Sequence, residues 1–323
     1  MTITQEQSTW FHETFSKLVD NVEQVVLGKR HVIELAFTAM VSEGHLLLED
    51  YPGTGKTSLA RAMAQTLHGK QNRIQFTPDL LPSDVTGVTI YDQASQKFEF
   101  HQGPIFANVV LADEINRASP KTQSALLEVM EEGQVTVDGV THPVGRPFMV
   151  IATQNPIEQA GTYRLPEAHL DRFLMKSSIG YPDHASTVQI LAQAPQGRSG
   201  LVLDPIISTE NVGSMIDLAA QVHVEEAVLE YVSTLAEETR NAPDVLLGCS
   251  VRAGLALVRA ARVWAAASGR NYVLPDDVKA LAQPVMAHRM VLDPEEEFRG
   301  NTAEKVLARI LDQVESPQER ATA

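Results

Sequence analysis

The chain has 323 residues, of which 44% are hydrophobic, 21% charged and 6% aromatic. At about 150 residues per domain this length predicts two domains, and the composition excludes a disordered, collagen-like or coiled-coil protein. The net charge is −15, from 26 basic and 41 acidic residues, and it disfavours general binding to nucleic acid or to acidic membrane surfaces.

The cysteine content and the hydropathy indicate a compartment. The single cysteine, Cys249, allows no internal disulfide and no cysteine-based zinc site, which fits a reducing environment. No apolar run approaches the roughly 20 residues that cross a bilayer, and the first residues do not have the pattern of a signal peptide. We therefore expect a soluble protein of the cytoplasm, with no direct insertion into a membrane.

The first half of the chain alternates short β-rich runs with helical patterns, as a parallel sheet covered by helices does. The predicted strands are residues 46–49, 73–76, 108–113, 148–155 and 175–181. The third and fourth are almost continuously apolar, which is typical of strands buried on both faces. A helix is predicted after Ser119, with Pro120 at its first position and Gly133 at its end.

Two pairs of short β-like runs interrupt this alternation and are predicted to be hairpins added to the core. The first pair, at 88–91 and 97–100, is joined by a polar loop, and the second, at 135–137 and 140–144, flanks a turn at Asp138 and Gly139. After a Gly-, Pro- and Ser-rich stretch the pattern is helical only. We therefore predict an α/β core at 1–192 with inserts near 88–103 and 134–146, a linker at 193–204, a helical domain at 205–316 and a disordered tail at 317–323.

The strongest motif is DYPGTGKT at residues 50–57, which directly follows the first strand and precedes a helical run. Such a loop turns backbone N–H groups towards a phosphate, and the helix N-terminus adds positive potential. Lys56 supplies a charge for the β- and γ-phosphates, and Thr57 supplies a hydroxyl for Mg²⁺. The predicted nucleotide-binding residues here are Pro52, Gly53, Thr54, Gly55, Lys56, Thr57 and Ser58.

Asp50 departs from the general P-loop pattern GxxxxGK[ST], which has glycine at this position. A carboxylate beside bound phosphates repels them. The side chain of Asp50 therefore has to point away from the phosphates, or the affinity for nucleotide falls.

Two further strands end in polar side chains. VVLADE ends in Asp113 and Glu114, and in a P-loop enzyme the first holds the metal through water while the second activates the attacking water. Adjacent strand residues point to opposite faces, so the two roles are separated. Asn155 follows the strand FMVIAT and is placed to sense a γ-phosphate, but Asn-Pro is also a turn signal, and a structural role stays open.

Beside GTGKT and LADE, three stretches resemble the MoxR family of AAA+ ATPases: GPIFANVVLADEINRASPKTQSALLEVMEEGQVTVDG, ATQNPIEQAGTYRLPEAHLDRF and GCSVRA. The resemblance implies an α/β fold, a P-loop αβα sandwich with a five-stranded parallel sheet, followed by a small all-α lid domain. It also implies ATP and Mg²⁺ as cofactors and a homo-oligomeric ring, usually a hexamer.

The same resemblance implies roles for single residues. Lys56 and Thr57 bind phosphates and Mg²⁺, Asp113 coordinates the metal, Glu114 is the catalytic base and Asn155 is sensor 1. Val26, Leu27 and Gly28 match the segment that packs around adenine, and Arg252 matches sensor 2. Arg172, or alternatively Arg164, matches the arginine finger that is given to the neighbouring subunit. From the residues alone, an ion pair with Asp171 or Glu167 is the simpler interpretation of Arg172.

MoxR-type ATPases typically act as chaperones for proteins with a von Willebrand factor A domain, so the resemblance implies a motor that remodels, activates or assembles partner proteins. One alternative is a nucleic-acid motor, which the net charge and the single lysine in the two predicted hairpins disfavour. A second is a monomeric P-loop switch, which would leave Glu114 without a purpose. No histidine spacing of a zinc helix is present, so no metal beyond Mg²⁺ is expected.

Overall fold

The computed structural model describes residues 3–155, 163, 165–193 and 202–317. These residues form two compact units. The first unit holds residues 17–155, 163, 165–173, 177–193 and 202–214, and the second holds residues 3–16, 174–176 and 215–317. Most of the predicted linker, 194–201, and the tail after residue 317 lie outside the described residues. No helix of the described residues is long and apolar enough to span a bilayer.

The first unit contains the predicted α/β core. Its helices are α1 (Gln5–Glu23, shared with the second unit), α2 (Arg30–Val41), α3 (Lys56–Thr66), α4 (Pro82–Thr86), α5 (Pro120–Glu132), α6 (Glu167–Leu170) and α7 (His184–Gln193). Its strands are β1 (Leu46–Glu49), β2 (Gln71–Gln75), β3 (Gly87–Asp92), β4 (Lys97–Gln102), β5 (Val109–Asp113), β6 (Gln134–Val137), β7 (Val140–Pro143) and β8 (Met149–Gln154). The strand β9 (Met175–Ser177) has its first two residues in the second unit and its last residue in the first. The helix α8 (Thr209–Ala219) begins in this unit and ends in the second.

The five predicted strands form one sheet with the order β2-β5-β8-β1-β9, which confirms the predicted parallel core. Every residue of β5 is buried, and so is every residue of β8 except Gln154, because helices cover both faces of a parallel sheet. The last strand is shorter than predicted, ending at Ser177 instead of residue 181. The N–H groups of Ile179 and Gly180 donate to the carboxylate of Asp50, so they are not used to extend a strand.

Local signals in the sequence set the ends of several elements. The Ser119 hydroxyl accepts from the Thr122 N–H at the start of α5, Pro120 is its first residue, and Gly133 ends it with φ 63°. The strands β3 with β4 and β6 with β7 pair as the two predicted hairpins. Asp138 and Gly139 both have positive φ between β6 and β7, as a tight two-residue turn requires.

The second unit contains α9 (Glu226–Asn241), α10 (Val251–Ala267), α11 (Pro275–Met286), α12 (Pro294–Phe298) and α13 (Ala303–Gln313). It also contains a short antiparallel pair, β10 (Val245–Leu247) with β11 (Val291–Leu292), which the prediction of an all-α domain missed. Strands of two or three residues are too short to show an alternating pattern. Cys249 is fully buried in this unit, and its N–H donates to the Thr239 hydroxyl.

The N-terminus belongs to the helical unit, in contrast to the predicted core at 1–192. The first turns of α1 contact the end of α10: His12 Nδ1 is hydrogen-bonded to the carbonyl of Ala267, and Gln5 donates to that of Gly269. Phe11 and Phe15 are buried and stack on each other. Conversely, residues 202–214 belong to the first unit, where the Ile206 N–H donates to the carbonyl of Thr66.

Candidate nucleotide-binding site

The P-loop joins the end of β1 to the start of α3. Gly53 and Gly55 have φ angles of 85° and 95°, which residues other than glycine rarely adopt. A Cβ added to either glycine would have no atom within 4 Å, so the loop presents an open face to a ligand. Thr57 and Ser58 are exposed on the first turn of α3, where the N–H groups of a helix lack intrahelical partners.

The side chain of Lys56 folds back onto the P-loop. Its ammonium group donates to the carbonyls of Asp50 at 3.0 Å and of Tyr51 at 3.3 Å. Carbonyls are weaker acceptors than a phosphate oxygen, because a charge on both partners strengthens the hydrogen bond. The lysine is therefore held next to the loop in a position from which a phosphate can attract it.

The carboxylate of Asp50 is turned to residues 178–180. It is 2% exposed, and its Oδ1 accepts from the Ser178 hydroxyl at 2.8 Å and from the Gly180 N–H at 2.9 Å. Its Oδ2 accepts from the Ile179 N–H at 2.6 Å. As the sequence requires, the negative charge is engaged by these donors and does not face a phosphate.

Asp113 and Glu114 stand at the end of β5, and a single hydroxyl joins them. Thr153, on the neighbouring strand β8, donates to Asp113 Oδ1 at 2.7 Å and accepts from the Glu114 N–H at 2.9 Å. Glu114 has φ 57°, a strained value for a residue with a side chain, and the bond to Thr153 stabilises it. Thr153 was not predicted from the sequence, because a buried β-branched residue in an apolar strand looks like a packing residue.

Two side chains of β2 reach the acidic pair. The Arg73 guanidinium donates to Asp113 Oδ2 at 2.6 Å, and the Gln75 amide donates to Glu114 Oε2 at 2.7 Å. Arg117 also donates to Glu114 Oε2, at 3.1 Å. None of these three donors was predicted from the sequence, although polar residues at alternate positions of β2, the strand beside β5, are a usable signal for Arg73 and Gln75.

Asn155 directly follows β8, which lies between β1 and β5 in the sheet. The strand ends at Gln154, whose amide donates to Glu49 at 2.9 Å and whose carbonyl accepts from the Asp50 N–H at 3.2 Å. The ends of three adjacent parallel strands thus bring together the P-loop, Asn155 and the Asp113–Glu114 pair. Ligands of open α/β sheets bind at this carboxyl edge.

Val26, Leu27 and Gly28 lie between α1 and α2, with Val26 buried, Leu27 half-buried and Gly28 exposed. The next residue, Lys29, donates through Nζ to the carbonyl of Tyr181 at 2.7 Å. The Tyr181 ring stacks on that of Tyr51 in the P-loop, with centroids 6.1 Å apart. The segment expected to contact a base is therefore connected to the P-loop through residues that follow β9.

Arg172 lies just after α6, and its ion pair is with Glu131 of α5, at 3.1 Å, in place of the predicted Asp171 or Glu167. It also donates to the carbonyl of Leu127 at 2.9 Å. A cavity of about 330 Å³ at this point is lined by Ser124, Leu127, Glu128, Glu131, Glu132, His169 and Arg172. Burial, and then the charge of Arg172, lower the pKa of His169 below its ordinary value.

Arg164, the alternative finger, lies outside the described residues. Arg252 is exposed near the start of α10, in the second unit.

Comparisons with known proteins agree with this geometry. Residues 45–175 match the ATPase family associated with various cellular activities (AAA), and residues 237–310 match the AAA lid domain. The chain is 46% identical to YeaC, an uncharacterized protein of Bacillus subtilis, over 96% of this chain and 97% of that protein. It is 39% identical to Chaperone MoxR1 of Mycobacterium tuberculosis, over 95% and 84% of the two chains.

More distant relatives and a solved structure extend the comparison. Protein MoxR of Paracoccus denitrificans is 34% identical, over 90% of this chain and 92% of that protein. The crystal structure of a provisionally assigned ATPase from Cytophaga hutchinsonii superimposes with a TM-score of 0.91 at 38% identity, covering 97% of this chain and 98% of that one. With the P-loop, the acidic strand end and the lid all accounted for, the chain belongs to the MoxR family of AAA+ ATPases.

Proposed function

We propose that this AAA+ ATPase hydrolyses ATP with Mg²⁺ in a homo-oligomeric ring of six subunits and uses the cycle to remodel partner proteins. The observation that carries the proposal is the grouping at one sheet edge. An open P-loop after β1 and the Asp113–Glu114 pair after β5 flank the end of β8, so phosphates and the groups that act on them meet there.

The oxygen donors at this edge fit magnesium. Thr57 offers a hydroxyl and Asp113 a carboxylate, and Mg²⁺ prefers oxygen ligands of this kind, completed by phosphate oxygens and waters. Within the described ranges, no group of three or more His, Cys, Asp or Glu side chains could hold a metal ion by itself, which is consistent with a metal that arrives with the nucleotide. When bound, the ion would neutralise charge that develops on the phosphates.

The protein's own groups would divide the remaining work. The N–H groups of the P-loop and Lys56 bind the phosphates, and Glu114 accepts the proton of the attacking water. Gln75 and Arg117 both donate to Glu114 Oε2, so the other carboxylate oxygen, Oε1, would accept the proton. Asn155 would position the water.

The arginines would complete the site. In the proposed ring Arg172, or Arg164, is given to the neighbouring subunit, and Arg252 reaches the nucleotide from the lid. An arginine supplied by a partner accelerates phosphoryl transfer by roughly 10³–10⁵-fold, so hydrolysis would depend on assembly.

The test of catalysis compares two variants of the site. Glu114→Gln is expected to keep ATP affinity and lose turnover, because the amide cannot accept the proton. Lys56→Ala is expected to lose binding itself. Titration calorimetry and a phosphate-release assay measure the two properties separately, and normal turnover by Glu114→Gln would remove the assignment of the base.

The test of the ring mixes two inactive subunits. Arg172→Ala and Glu114→Gln chains each fail alone, but a mixed ring contains interfaces with an intact Glu114 and an intact Arg172. We expect partial recovery of turnover at intermediate ratios, with sedimentation velocity in ATP reporting the number of subunits. If no ratio restores activity, Arg172 acts within its own chain.

The proposed clients are proteins with a von Willebrand factor A domain, as the family resemblance implies. The β3–β4 hairpin supports a protein client, because Ile90, Tyr91 and Phe98 are 48%, 49% and 74% exposed and Lys97 is its only lysine. A nucleic-acid motor would need cations there. We propose a cytoplasmic location as well, which the single buried cysteine supports.

Capture from native lysate on Glu114→Gln with ATP, with and without nuclease, tests the client. A nuclease-resistant partner with a von Willebrand factor A domain is the expected result. Nuclease-sensitive replication or repair proteins would favour the nucleic-acid motor.

A further inference from the structure

The carboxylate of Asp50 has no part in the chemistry described above, yet it is buried and accepts three hydrogen bonds. The donors are Ser178, Ile179 and Gly180, at 2.6–2.9 Å. Bonds to an ionised acceptor are stronger than neutral ones, and several of them fix the donors in direction as well as in distance. The first residue of the P-loop and residues 178–180 are therefore held as one piece.

The chain that Asp50 holds continues into contacts with the segment before α2. We call residues 178–186 the bridging segment. Its Tyr181 stacks on Tyr51, and the Tyr181 carbonyl accepts from Lys29 at 2.7 Å. Further along, a Cβ added to Gly28 would lie 2.6 Å from the Ser186 hydroxyl oxygen and 3.7 Å from the Ser186 Cβ, so the two segments are in close contact there. The bridging segment thus touches the P-loop at one end and residues 28–29 at the other.

Through these contacts the bridging segment affects a ligand that contacts both the P-loop and residues 26–28. A nucleotide would place its phosphates on the P-loop and its base against residues 26–28. A rigid spacer between two subsites raises the affinity for the whole ligand, because less conformational freedom is lost on binding. The affinity for the phosphates alone depends on the P-loop and gains much less.

We propose that Asp50 is a positioning residue which, through the bridging segment, sets the P-loop at a fixed place relative to the base-binding residues 26–28 and so selects a whole nucleotide over its phosphates. The proposal rests on the nucleotide site of the proposed function. A glycine at residue 50 restores the general P-loop pattern but removes every acceptor for Ser178, Ile179 and Gly180.

The experiment compares ATP with inorganic tripolyphosphate by titration calorimetry on the full chain. For Asp50→Gly we expect about tenfold or greater loss of ATP affinity, since a bond to a charged group contributes at least that factor, and a clearly smaller loss for tripolyphosphate. Asp50→Asn keeps one acceptor oxygen and is expected to fall between the wild type and Asp50→Gly. Ser178→Ala removes one donor and leaves the two amides. It should therefore lower the affinity for ATP relative to tripolyphosphate, but by less than Asp50→Gly does.

Asp92→Asn is the matched control. Its carboxylate also accepts from backbone N–H groups in a loop, those of Ala94 and Ser95 in the β3–β4 hairpin, and its replacement should leave both affinities unchanged. Unchanged ATP affinity in Asp50→Gly, or equal losses for ATP and tripolyphosphate, would overturn the proposal. If Asp50→Gly does not fold, the same comparison of ATP with tripolyphosphate affinity is made on Asp50→Asn and Ser178→Ala.

Failure of the proposed function has a different signature. If the wild type binds neither ligand, or if Lys56→Ala binds both as the wild type does, the nucleotide site itself is wrong. If the wild type binds ATP and Lys56→Ala does not, the nucleotide site is correct. The losses of ATP and tripolyphosphate affinity in the Asp50 variants then decide whether Asp50 is a positioning residue.

Discussion

Replacing Thr153 by valine tests how the acidic pair is held. Thr153 is fully buried, and its hydroxyl serves both the Asp113 carboxylate and the Glu114 N–H. Valine keeps the shape, so no cavity forms, but the charged acceptor loses a bond and the N–H loses its partner. At about 1.5–3 kcal/mol for the first and about 1–3 kcal/mol for the second, less the saving from not burying a hydroxyl, we expect the first unit to lose about 2–4 kcal/mol.

The assay has to report the first unit. Both tryptophans, Trp10 and Trp264, lie in the second unit, so their fluorescence does not follow it. Hydrogen exchange of the amides of β5 and β8 gives the stability of the first unit, and exchange of the Glu114 amide gives the local opening. The amide of Glu114 should exchange faster in Thr153→Val, and ATP turnover should fall because Glu114 loses its backbone support.

The control variant is Thr153→Ser, which keeps the hydroxyl and loses one buried methyl group. Its expected cost is about 1 kcal/mol, in the range of a deleted buried methyl. The reasoning is refuted if Thr153→Val is as stable as Thr153→Ser, or if the Glu114 amide exchanges at the wild-type rate.

Three further changes test other contacts. Arg172→Ala should raise the pKa of His169 in an NMR titration, because a neighbouring positive charge that disfavours the imidazolium is removed. Asp277→Ala should cost the second unit about 3 kcal/mol, read by tryptophan fluorescence, since Arg270 loses a bidentate partner at 2.6 and 2.7 Å. Arg73→Gln should lower the Mg²⁺ concentration needed for half-maximal ATP binding by about twofold to fivefold, because the exposed Arg73 guanidinium no longer competes for the Asp113 carboxylate.

Each of these has a contrary result. A His169 pKa that is unchanged in Arg172→Ala would mean that burial alone lowers it. An unaltered fluorescence transition in Asp277→Ala would show that the ion pair with Arg270 adds nothing to stability. A higher Mg²⁺ requirement in Arg73→Gln would indicate that Arg73 helps to orient Asp113 instead of competing with the metal.

Local patterns were enough to predict the frame of the first unit. The apolar runs of β5 and β8, the Ser119 cap with Pro120, and the P-loop between a strand and a helix are all written in consecutive residues. The rule that parallel strands end at one edge then predicts the grouping of Lys56 with the Asp113–Glu114 pair. These are properties that short-range sequence determines.

Contacts between distant residues were not predictable in the same way. Asp50 meets donors 128–130 positions later in the chain, and Thr153 reaches back 39–40 positions to the acidic pair. Asp50 is marked by its departure from the P-loop pattern, but no pattern marks residues 178–180 or Thr153 as hydrogen-bonding partners. The same holds for the start of α1, whose place beside the end of α10 depends on hydrogen bonds such as that of His12 to the Ala267 carbonyl.

The burial of Cys249 has a practical consequence for watching this protein at work. The native thiol is fully covered, so a maleimide dye added to the folded chain has no accessible cysteine to attack. A cysteine introduced at Asp138, in the turn between β6 and β7, would then carry the fluorophore alone. Changes around that hairpin during turnover can be followed by single-molecule fluorescence without first replacing Cys249.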